Sequence, residues 1–283
     1  MKGTRRERSK TGWDAAELLG TLFELLCMIL LPIAGCDRGD RPGATPAPVA
    51  ATPNVPAARP SAQPAPYGDA NQIPLPAAQQ RLCTAVVILL DTSGSMTQAV
   101  GDRAGGRSPK HQIARQALER IVNYTIDWKK THPDRDLELG LFTFSSSARA
   151  VLPMGPFDAG KSRSALASLT KPGGGTAIGD ALRRGFEALY ASGCVRKYVI
   201  CITDGENTTG PRPDRIARQL YAQTGGEVEI HFIAFDTSAK RFGFLESVNG
   251  HIVEAADGAQ LEARISDIYE KRILAEAMPA EQP

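Results

Sequence analysis

Two uninterrupted apolar runs, Thr84-Ala85-Val86-Val87-Ile88-Leu89-Leu90 and Tyr198-Val199-Ile200-Cys201-Ile202, constrain this chain more than any other feature. A short run without polar alternation suits a strand covered on both faces, and such strands belong to parallel sheets. Helical stretches separate them. Ile113, Ala117, Ile121, Tyr124 and Trp128 recur at three- to four-residue spacing over residues 110–130. Residues 180–190, 213–223 and 261–274 also read as helix, and 242–248 as a short one. Further strands are expected at 136–144, where Leu137, Leu139 and Leu141 alternate with Glu138 and Gly140, and at 149–152, 229–235 and 251–254. The alternation implies an α/β fold of three layers: a doubly wound, mostly parallel central sheet with helices on both faces.

Composition limits where that fold begins. More than half of the 20 prolines precede residue 80, leaving residues 81–278 for the domain and 279–283 as a tail. A basic start (Lys2, Arg5, Arg6, Arg8, Lys10) and an apolar stretch precede Ile33-Ala34-Gly35-Cys36. That ending resembles a bacterial lipobox, which implies a signal peptide over 1–35, lipidation at Cys36 and a membrane-anchored domain outside the cytoplasm, in the periplasm of the cell envelope. Glu24 interrupts the apolar stretch, and an uncleaved transmembrane anchor is the alternative. Residues 36–80, rich in Pro and Ala, lack core-forming side chains and read as an extended tether. A net charge of +2 and the lack of an Arg/aromatic stripe argue against nucleic acid as a partner.

Ligands of such sheets sit beyond the carboxyl ends of the central strands. The first strand ends in Asp91-Thr92-Ser93-Gly94-Ser95, a loop Gly173-Gly174-Gly175-Thr176 leads into a helix, and the later buried strand ends in Thr203-Asp204-Gly205. Two carboxylates and three hydroxyls form an oxygen-only donor set suited to a hard cation. Asp-x-Ser-x-Ser, a threonine in a glycine-rich loop and a strand-terminal Asp-Gly resemble the motif of von Willebrand factor A (VWA) domains over roughly residues 82–277. The resemblance implies a complete metal-ion-dependent adhesion site made by Asp91, Ser93, Ser95, Thr176 and Asp204. It would hold Mg²⁺ (or Mn²⁺ or Ca²⁺) and recruit an Asp or Glu of a protein partner. A scaffold in which the metal only stabilises the domain is the alternative.

Enzyme signatures are missing. His111, His132, His231 and His251 form no zinc-protease motif, no nucleophile elbow surrounds Ser93 or Ser95, and the triglycine lacks the ending of a phosphate loop. A binding module is therefore expected, with a metal-dependent hydrolase as the lesser reading. In the implied topology the strands that follow Cys83 and Cys194 are parallel neighbours, so a Cys83–Cys194 disulfide is expected at the edge opposite the site. Cys201 should be a buried thiol. Residues 97–109 read as a long loop on the metal face, either shaping the partner site or merely irregular.

Overall fold

The computed structural model describes residues 72–277. The signal segment 1–35, Cys36, most of the tether and the tail lie outside them. The elements run β1 (Arg81–Asp91), β2 (Ala99–Gly101), β3 (Arg107–Pro109), α1 (Lys110–Thr131), β4 (Leu137–Phe144), β5 (Ala148–Pro156), α2 (Ala159–Ala167), α3 (Ile178–Ser192) and β6 (Cys194–Thr203). Then follow α4 (Pro213–Thr224), β7 (Val228–Phe235), a 3₁₀ stretch (Ala239–Val248), β8 (His251–Ala255) and α5 (Gly258–Ile265). The last helix continues as a π-helical segment (Ser266–Leu274).

Six strands form the central sheet in the order β5-β4-β1-β6-β7-β8. All pairings are parallel except β4–β5. Alternate residues of β1 serve two cores. Val86, Ile88 and Leu90 pack with Ile113, Leu118 and Ile121 of α1 and with Leu261 and Tyr269. Ala85, Val87 and Leu89 pack with Leu182, Phe186 and Leu189 of α3 and Leu220 of α4. Burial on both faces is why the run carries no polar alternation, and each buried aliphatic side chain contributes about 1.5–3 kcal/mol. The expected three-layer, mostly parallel architecture is the observed one.

Several local expectations are corrected. The strand expected from the alternation of leucines with Glu138 and Gly140 is β4, and all eight of its residues are buried between β1 and β5. Glu138 is accommodated there by an ion pair with Arg81. Residues 97–109 are not an irregular loop but contain the β2–β3 hairpin, in which Ala99 pairs with Pro109 and Gly101 with Arg107. Asp102 Oδ1 organises its turn by accepting from the backbone amides of Ala104 (3.0 Å) and Gly106 (2.8 Å). Helix α2 has no counterpart in the sequence reading. The tether ends earlier than residue 80: Ile73 is buried against the α3/α4 core, and the Gln223 side chain bonds both its amide and its carbonyl. The expected Cys83–Cys194 disulfide is formed, with Cα atoms 4.8 Å apart, and Cys201 is a free, buried thiol. Among the described residues, no helix is long and apolar enough to cross a membrane.

Candidate functional site

From β1 the chain passes through α1 to β4 on one side, and after β5 it returns through α3 to β6 on the other side of β1. The carboxyl ends of β1 and β6 therefore bound the crevice where open α/β sheets hold ligands. Asp91 is the last residue of β1, and Asp204 directly follows β6.

Four of the five expected residues form one hydrogen-bonded string. The backbone amide of Ser93 donates to Asp91 Oδ1 at 2.7 Å, the Ser93 and Ser95 hydroxyls lie 3.0 Å apart, and Ser95 Oγ donates to Asp204 Oδ1 at 2.7 Å. Asp91 Oδ2 accepts from Thr203 Oγ1 at 2.6 Å. Thr176 is buried beside them; a Cβ at Gly205 would stand 3.9 Å from its hydroxyl oxygen. Thr208 holds it there, since Thr208 Oγ1 accepts from the Thr176 amide (2.8 Å) and the Thr208 amide donates back to the Thr176 carbonyl (2.9 Å).

The loops meet because glycine lets them. Gly94 N donates to Gly174 O at 3.2 Å, and Gly173 N to Thr92 O at 2.9 Å. Gly174 has φ +84°, where any other side chain would be strained, and a Cβ there would come within 2.7 Å of Ser146 Oγ and force that hydroxyl to move.

Burial pushes the Asp91 carboxyl up to about 6, against the hydrogen bonds of Thr203 and Ser93, and the charge of Asp204 adds to the rise. In the sequence Lys110 is simply the first position of the helical stretch 110–130. Its side chain is only 3% exposed, and Nζ donates to Asp204 Oδ2 (2.9 Å), Asp236 Oδ2 (2.8 Å) and Gln98 Oε1 (3.4 Å). Burial works against that ammonium, but its bonds to Asp236 and Asp204 outweigh it and hold its pKa above the usual value.

The donor set fits a divalent cation on two grounds. Its available atoms are carboxylate and hydroxyl oxygens, the ligands of Mg²⁺ and Ca²⁺. Three carboxylates (Asp91, Asp204, Asp236) against one ammonium (Lys110) leave a formal charge of two negatives, which one such ion neutralises. Of the four histidines, His111 is nearest in sequence, and its Nδ1 lies 3.0 Å from the Met96 carbonyl. His231 is buried within the sheet and stacks on His251 with centroids 4.9 Å apart.

Comparison with known proteins agrees with the fold. Residues 86–206 match the family model of the von Willebrand factor type A domain. Over 206 residues the chain is 29% identical to the uncharacterized protein YwmD of Bacillus subtilis (strain 168), covering 69% of this chain and 85% of that one. Its fold is similar to a von Willebrand factor type A protein from Catenulispora acidiphila (TM-score 0.51, 19% identity, 70% of this chain and 47% of that one). It is also similar to the PilB minor pilin of Streptococcus sanguinis (TM-score 0.54, 18% identity, 71% of this chain). The similarity spans 63% of the pilin, less than two thirds of its length. The architecture is that of VWA domains.

Proposed function

We propose that this chain, with a segment matching the VWA family and a VWA-like fold, is a divalent-cation-dependent protein-binding module. One observation carries the reading: the Asp91–Ser93–Ser95–Asp204 string lies at the switch point of the sheet with Thr176 beside it. Ser93, Ser95 and Thr176 would offer neutral oxygens, while Asp91 and Asp204 would offer charge directly or through water. A bound Mg²⁺, Mn²⁺ or Ca²⁺ would supply a Lewis-acidic position open to an Asp or Glu of a partner protein. The protein's own part is to fix the donors and to keep Asp91 buried, so that a contact made there acts at low dielectric.

The proposal extends to place and chemistry. The basic start, lipobox-like ending and Pro/Ala-rich segment support a lipid-anchored module of the bacterial cell envelope with its domain outside the cytoplasm. Binding without turnover is the proposed activity, and nucleic acid is not a proposed partner.

Pull-down from envelope extracts with Mg²⁺ or with EDTA tests the function. Partners retained with Mg²⁺ should be released by EDTA and by Asp91→Ala. Partners kept in chelator would favour a metal-stabilised scaffold instead, and Mg²⁺-dependent turnover of phosphoester or peptide substrates, abolished by Asp91→Ala, would make the protein an enzyme.

A further inference from the structure

Lys110 is the first residue of α1, immediately after the β2–β3 hairpin. A lysine at a helix start is ordinarily solvated, because burying an ammonium is costly unless it is paired. Here Gln98 fixes both ends of the residue: its carbonyl accepts from the Lys110 amide at 2.9 Å, and its side-chain oxygen lies 3.4 Å from Nζ. The ammonium is therefore held at the site from the hairpin, from β7 through Asp236, and from β6 through Asp204.

The consequence lies in how the two oxygens of Asp204 are shared. Oδ1 faces the serines and accepts from Ser95 at 2.7 Å, whereas Oδ2 is taken by Lys110 at 2.9 Å. While that bond stands, Asp204 can offer an incoming cation one oxygen only. Mg²⁺ and Mn²⁺ suit six ligands at short range, each carboxylate giving one oxygen. Ca²⁺ takes six to eight and gains them by binding carboxylates through both oxygens. Occupying Oδ2 therefore penalises the larger ion selectively.

We propose that Lys110 is a specificity-determining residue of the cation site, holding Asp204 to one-oxygen coordination and so favouring Mg²⁺ or Mn²⁺ over Ca²⁺. The inference rests on the proposed cation site and adds to it a residue that would not itself touch the ion. It also gives the hairpin a role, since the hairpin seats the lysine.

The test is calorimetric titration of the purified full chain in detergent with Mg²⁺, Mn²⁺ and Ca²⁺, for wild type, Lys110→Met and Asp236→Asn. Wild type should bind Mg²⁺ and Mn²⁺ more tightly than Ca²⁺. In Lys110→Met the ratio of Ca²⁺ to Mg²⁺ dissociation constants should fall about tenfold, roughly the worth of one ligand. Asp236→Asn removes a charge whose side chain is 42% exposed and leaves the bond to Asp204, so its ratio should stay within about twofold of wild type. An unchanged ratio in Lys110→Met, or an equal collapse in Asp236→Asn, contradicts the inference while leaving the cation site intact. Absence of heat from wild type with all three ions overturns the site and the inference together. If Lys110→Met does not fold, crystals of wild type grown with Mg²⁺ decide: Asp204 should give one oxygen to the ion and the other to Lys110. Both oxygens on the ion, with Lys110 displaced, would refute it.

Discussion

β1 carries polar groups at both ends, and the two ends are treated in opposite ways. At the amino end, Arg81 pairs with Glu138 and donates to the Ser192 carbonyl at 2.7 Å, and Cys83 is covalently joined to Cys194. Charge is matched there. At the carboxyl end, Asp91 and Asp204 share the crevice with one ammonium, which is divided between Asp204 and Asp236. Closure serves stability; the negative excess is what the proposed cation would neutralise. The same strands β1 and β6 supply both ends, yet the disulfide and the acids stand at opposite ends of those strands.

The largest expected effect breaks the closed end. The disulfide spans a sequence separation of 111, and the chain-entropy argument assigns such a loop roughly 4–5 kcal/mol. Replacing Cys83 and Cys194 by Ala should lower the urea midpoint accordingly and leave the Mg²⁺ dissociation constant within about twofold. A parallel loss of affinity would mean that the two ends are not separable.

His231 sharpens the comparison as a buried group on β7, away from the proposed cation site. Burial, aided by the charges of His251 and Arg272, lowers its pKa from 6.5 to about 3. The fold therefore holds it neutral while the unfolded chain takes up a proton. Its contribution is complete above pH 6.5 and is lost as pH falls through that value towards 3, up to about 4 kcal/mol. Relative to wild type, His231→Phe should gain stability in denaturant titrations as pH falls from 7 to 4. A constant difference would contradict this.

Asp91 has the opposite sign. Its pKa is raised from 3.8 to about 6, so in metal-free protein its contribution is full below 3.8 and is lost as pH rises through 6. Asp91→Asn should therefore stabilise metal-free protein at pH 7 by up to about 2 kcal/mol while weakening Mg²⁺ binding about 100-fold. Thermal melts with and without Mg²⁺ check both halves, and a variant less stable in each condition would make Asp91 a structural residue.

What was legible follows from the range of the interactions. β1 and β6 are visible because burial on both faces writes a continuous apolar run, and Asp91 and Asp204 are visible because they end those strands. Helix α2 was not legible: of Ala159–Ala167 it buries only Ser162, Ala165 and Leu166, too few for a helical stripe, although Asp158 caps it at 2.8 Å through the Lys161 amide. The last helix reads at one period but changes to π register after Ile265. Lys110 and Thr208 escaped for another reason. Each is an ordinary polar residue whose role depends on a partner far along the chain, 94 positions away for Lys110 and Asp204 and 32 for Thr208 and Thr176. The Asn207-Thr208-Thr209 segment looks like plain loop, although Asn207 Oδ1 also accepts from the Gly179 amide in the first turn of α3 at 3.3 Å.

Titrating metal-free wild-type protein with Mg²⁺ by calorimetry asks directly whether the acid-rich edge of the sheet is a cation site. One ion per chain should be taken up, and Asp91→Asn should weaken that uptake about 100-fold. A flat trace with Mg²⁺, Mn²⁺ and Ca²⁺ alike would show that the carboxylates, hydroxyls and ammonium at that edge satisfy one another without a metal.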